Sequence, residues 1–135
     1  MNTKRASFEP IPAEDERVAT QVVAAALKVH RTLGPGLLES VYEACLCQEL
    51  GQRDIPYACQ VALPVTYDGM RLDAGLRLDL LVADRVIVEV KAVEKMQPLF
   101  EAQLLTYLKL SGLRLGLLIN FNVPLLKDGI KRMVL

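Results

Sequence analysis

Three residues in the second half of the chain have the types and spacing to bind and use a cation: Asp79, Glu89 and Lys91. Side chains alternate across a strand, so in Val88-Glu89-Val90-Lys91 the acid and the lysine project from one face and the valines from the other. If the preceding hairpin turns about Asp84, Asp79 lies five residues before the turn centre and Glu89 five after it, which sets the two carboxylates opposite each other. Such a pair can hold Mg²⁺ or Mn²⁺ and leave coordination positions for water and a phosphate oxygen. Lys91 would orient the attacking water or stabilise charge developing on the phosphate, while the metal lowers the water's pKa and polarises the phosphoryl group. The chemistry indicated is phosphodiester hydrolysis.

An acid-x-lysine triplet alone is weak: with 16 acids and 7 lysines in 135 residues, about one is expected by chance. The competing structural reading is a cross-strand salt bridge between Lys91 and Glu89 or Asp79 at a sheet edge. Against it stands the apolar character of both strands, which suits the interior of a sheet, where an unpaired charge is costly.

The elements that must position these residues can be read from periodicity. Val18, Val22, Ala25, Ala26 and Val29 mark an amphipathic helix from about Glu14 to Thr32, and Gly34-Pro35-Gly36 breaks it. Leu37, Leu38, Val41, Cys45, Leu46 and Leu50 mark a second helix stopping near Gly51, and the two form a helical hairpin. From Ala58 the pattern alternates: a strand through Val65, a turn at Tyr67-Asp68-Gly69-Met70, a strand over about Arg71 to Val82 and a third over Arg85 to Ala92 form a meander. Gln97-Pro98 opens a helix that ends at Ser111-Gly112. Apolar Arg114 to Phe121 reads as a buried strand, and Ile130 to Leu135 as a last short one. The order α-α-β-β-β-α-β-β predicts one α/β domain over residues 14–135, a mixed sheet flanked by helices, preceded by a tail over residues 1–13.

Composition narrows the function. The chain carries no net charge, which argues against coating nucleic acid by electrostatics alone. Charge is uneven: 6 basic against 9 acidic residues up to position 70, and 10 against 7 beyond it, so the halves carry −3 and +3. Arg114, Lys127, Lys131 and Arg132 could touch phosphates, although ordinary solvation explains them as well. Cys45, Cys47 and Cys59 are too few and too irregularly spaced for a disulfide framework or a zinc site. With no signal-peptide run and no membrane-spanning length of apolar residues, a cytoplasmic protein is expected. A chain this short has little length for a separate substrate-gripping module, so added grip must come from a protein partner or self-association.

Gly36-Leu37-Leu38-Glu39-Ser40-Val41-Tyr42 matches a GxxExxY signature, followed in order by Asp79, Glu89-x-Lys91 and Gln103-x-x-x-Tyr107. Over about residues 14 to 125 the chain resembles the GxxExxY proteins, small bacterial proteins assigned to the PD-(D/E)XK nuclease superfamily. The resemblance implies a restriction-endonuclease-like core in which Asp79, Glu89 and Lys91 are the signature residues, although Leu78 rather than proline precedes Asp79. It also implies that Glu39 adds a helix-borne acid to the metal site, and that Gln103 and Tyr107, one turn apart on a helix, contact substrate. Read from the residues alone, Glu39 is equally an exposed helix residue or a cap, and Gln103 and Tyr107 equally boundary packing. Gly36 and Tyr42 read as structural, and His30 as a core or capping residue. The expected function is a metal-dependent nuclease acting on DNA or RNA; the alternative is a nucleic-acid- or protein-binding module that keeps the fold with little or no turnover.

Overall fold

The computed structural model describes residues 9–135, so most of the expected tail lies outside the described residues. Pro12 precedes the first helix, α1 (Ala13–Leu33), whose first turn carries Glu14, Asp15 and Glu16 against the positive end of the helix dipole. All five residues of its expected apolar stripe are buried. The helix stops at Gly34, and both Gly34 (φ 71°) and Gly36 (φ 102°) occupy left-handed backbone that other residues adopt at a cost. The second helix, α2 (Glu39–Gln52), then folds back along α1.

Tyr42 clamps this reversal. Its ring stacks on Phe121 with centroids 4.7 Å apart. Its hydroxyl donates to the Gly34 carbonyl (2.6 Å) and accepts from the Leu37 N–H (3.1 Å), two backbone groups of the linker that no helix can satisfy. His30 takes the expected structural place, buried with Nε2 at 2.8 Å from the Val123 carbonyl.

Five strands form the main sheet in the order β1-β4-β5-β6-β7: β1 (Tyr57–Ala62), β4 (Arg77–Val82), β5 (Val86–Lys91), β6 (Leu115–Asn120) and β7 (Ile130–Val134). Only β5 and β6 run parallel, and the third helix, α3 (Pro98–Ser111), supplies the crossover that such a pair requires. The sheet is therefore mixed and flanked by helices, as the sequence predicts. Val86, Val88 and Val90 face α1 and α2 in one core layer. Ile87 and Leu118 face Leu104, Tyr107 and Leu108 of α3 in the other. α3 comes so close to β6 that a Cβ on Gly116 would stand 2.9 Å from Leu104 Cδ1.

The expected meander departs from the structure at its first hairpin. Its two strands are each interrupted, and the tip separates as a two-stranded sheet of β2 (Val65–Tyr67) and β3 (Met70–Leu72). Pro64 offers no N–H to continue the ladder, and Gly75 adopts φ 78° on the opposite side. The next turn holds as expected: Ala83 (φ 53°) and Asp84 (φ 55°) reverse the chain, with Val82 paired to Val86.

Tyr42→Phe keeps the stacked ring and strands the two backbone groups. It should lower the unfolding free energy in urea by about 1–3 kcal/mol, and a loss below a few tenths would show that water replaces the hydroxyl.

Candidate metal centre

The ladder between β4 and β5 is regular from the turn as far as Leu80 opposite Val88. At the following row, Asp79 opposite Glu89, side chains replace the ladder. The Asp79 N–H donates to Glu89 Oε2 (2.9 Å), and the Val90 N–H donates to Asp79 Oδ2 (2.8 Å). The two carboxyl groups are thus locked crosswise on neighbouring strands, each by a backbone donor of the other strand.

A local change of face explains why regular pairing stops there. On β4, Leu80 packs in the layer of α1 and α2, whereas Leu78, two residues away, packs in the layer of α3. On β1, Cys59 meets Cys47 of α2, whereas Val61 packs on the α3 side. Strict alternation would put each of these pairs on one face. Between them lie Asp79 and Gln60, and Gln60 has φ 50°, so both strands turn over at this row.

The turned Gln60 side chain donates to both carboxylate oxygens of Glu43 on α2 (3.0 and 3.3 Å). Burial, with the charges of Asp79 and Glu39 behind it, pushes the Glu43 carboxyl upward, against the pull of Gln60. Glu43 escapes sequence reasoning because it stands outside the signature; its place one turn after Glu39, on the same helical face, is the signal that could have found it. Glu39 itself is exposed at the start of α2.

Lys91 makes no ion pair among the described residues. Its ammonium stands 4.5 Å from the centroid of the Phe100 ring, a cation–π contact that fixes the side chain beside the carboxylates without neutralising them. The cross-strand salt bridge is therefore not formed. Tyr107 is buried in the α3 layer, and burial, then the charges of Glu89 and Asp79, push its phenol upward, opposed by hydrogen bonding with Gln103. Gln103 is exposed one turn earlier. Arg114 and Arg132 are committed elsewhere, the first to the backbone carbonyls of Glu9, Pro10 and Leu135, the second to both oxygens of Glu16.

The family profile described as the PD-(D/E)XK nuclease superfamily matches residues 16–133. The chain belongs to this superfamily. No curated protein and no solved structure matches it. PD-(D/E)XK nucleases generally use divalent metals, and the chemistry of this donor set fits one. Glu89 is 6 % exposed, and burial, then the Asp79 carboxylate, push its carboxyl up to about 8, with the Asp79 N–H and Lys91 pulling the other way. A buried Glu89 facing the charge of a half-buried Asp79 is what a divalent cation relieves. Among the described residues no three His, Cys, Asp or Glu side chains converge on one point, so Asp79 and Glu89 would be the protein's principal carboxylate ligands, with most positions left to water and substrate.

The raised Glu89 carboxyl sets a pH dependence. Because its folded value lies above its ordinary 4.5, the stability gained from the protonated form is complete below about pH 4.5 and is lost as pH rises towards about 8. Urea unfolding of the metal-free protein should show this decline, and Glu89→Gln should flatten it; a parallel decline in the variant would assign it to other groups. Phe100→Leu should release Lys91, seen by NMR as a downfield move of its ε-methylene protons as the ring current is lost. Unchanged shifts would mean that the ring does not hold the ammonium.

Proposed function

We propose that this domain, residues 14–135, is a Mg²⁺- or Mn²⁺-dependent nuclease of the GxxExxY group that hydrolyses phosphodiester bonds of DNA or RNA. The observation that carries this reading is the crosswise Asp79 and Glu89 pair with an unneutralised Lys91 beside it. Nothing structural requires two facing acids at that row, one of them buried, since an unbroken ladder would satisfy the same backbone donors.

When bound, the cation would supply Lewis acidity and an activated water. Asp79 and Glu89 would hold it, each kept in place by its backbone bond. Lys91 would face the phosphate and stabilise negative charge as the water oxygen bonds to phosphorus, giving up a proton to solvent, and the sugar oxygen leaves and takes a proton from solvent. Glu43, steadied by Gln60, is the nearest helix-borne acid, and Glu39 at the exposed end of the same face would approach the ion through water. Tyr107 and Gln103 present a phenol and an amide from α3 to the phosphate or to a nucleic-acid end. With Arg114 and Arg132 tied internally, the remaining hold on nucleic acid would come from a second copy or a protein partner. A cytoplasmic setting agrees with cysteines that are all free, and no helix among the described residues is long and apolar enough to cross a membrane.

Lys91→Ala should lower cleavage of labelled single- and double-stranded DNA and RNA by at least ~100-fold, with Mn²⁺ binding retained. Asp79→Asn should weaken Mn²⁺ binding in calorimetry as well, by at least ~10-fold. Wild-type protein that binds Mn²⁺ and cleaves none of these substrates would support the binding module instead, and a fully active Lys91→Ala protein would place the cleavage at another site.

A further inference from the structure

Two cysteines on different elements meet beside this centre. Cys47 lies on α2 one turn after Glu43, and Cys59 lies on β1 next to Gln60. Their sulfurs are 3.1 Å apart, within about 1 Å of a bonded pair. Cys59 is exposed and Cys47 buried, so a dissolved oxidant reaches one sulfur while the other waits behind it. Nothing packs between them, and the third cysteine, Cys45, has no such neighbour among the described residues. The division of labour has a second support: burial, then the Cys59 sulfur, push the Cys47 thiol up to about 12, which makes Cys47 the thiol that keeps its proton.

We propose that Cys47 and Cys59 are a peroxide-responsive dithiol whose disulfide locks α2 onto β1 beside the contact of Glu43 with Gln60. The Cys59 sulfur attacks hydrogen peroxide; an S–O bond forms, the O–O bond breaks, and the departing hydroxide takes the Cys59 proton and leaves as water, giving the sulfenic acid. The Cys47 sulfur then attacks the Cys59 sulfur; the S–S bond forms, the S–O bond breaks, and the departing hydroxide takes the Cys47 proton. In balance, two thiols lose two electrons and one peroxide becomes two waters. The bond ties together the two elements that carry Glu43 and Gln60, so oxidation reaches the acid nearest the carboxylate pair.

The test treats the full chain with one equivalent of hydrogen peroxide and then alkylates the remaining thiols. Mass spectrometry should show one alkyl group gained and about 2 Da lost per monomer, a linked peptide pair containing Cys47 and Cys59, and the alkyl group on Cys45. Hydrogen exchange at the amides of β1 and the second half of α2 should slow at least ~10-fold and recover after dithiothreitol. Cys45→Ser should behave like wild type, and Cys47→Ser and Cys59→Ser should give no intramolecular bond. A bond through Cys45, links only between molecules, or exchange unchanged by oxidation would overturn the proposal. None of these readouts needs metal or cleavage, so an inactive protein would count against the nuclease reading alone.

Discussion

The structure of the candidate centre depends on one reciprocal arrangement: two strand N–H groups that would normally find carbonyls are capped by the carboxylates of Asp79 and Glu89. This fixes a buried Glu89 against a half-buried Asp79 whose charge opposes its own, and it does so with groups that the fold must satisfy anyway. The rest follows from the need to hold that row. β5 and β6 are buried along nearly their whole length, so the strand carrying Glu89 and Lys91 is clamped from both faces. The hairpin about Asp84 sets its partner's register.

Layering divides the remaining tasks. The α1 and α2 layer, pinned by Tyr42 against Phe121, brings Glu43 to the turned edge of the sheet. The α3 layer brings Phe100, Gln103 and Tyr107 to the opposite side of the same strands. The centre sits where two strands pass from one layer to the other, and this gives side chains from both layers access to a single row.

Much of this was legible in the sequence because it rests on periodicity and turn chemistry. Observed helix limits fall within a residue or two of those read from the apolar stripes and from Gly34, Gly51 and Gly112. The opposition of Asp79 and Glu89 follows from a turn centred on Asp84. The change of face at Gln60 and Asp79 was not legible, because alternation assumes a flat strand and Gln60 carries no mark of its left-handed backbone. Glu43 was missed because it stands outside the signature, although it lies one turn after Glu39 on the same face of α2. Likewise, the partner of Lys91 is an aromatic ring on another element, and the pairing of Cys47 with Cys59 depends on how α2 crosses β1, which spacing does not encode.

The turned backbone at Gln60 has a consequence for solubility. β1 is an edge strand exposed over almost all of its length, and an exposed edge of regular strand invites pairing with another chain into larger aggregates. Gln60, out of line, interrupts the regular row of open hydrogen-bonding groups that β1 would otherwise offer. The distortion that brings an amide to Glu43 therefore also makes the β1 edge a poorer template for a regular incoming strand.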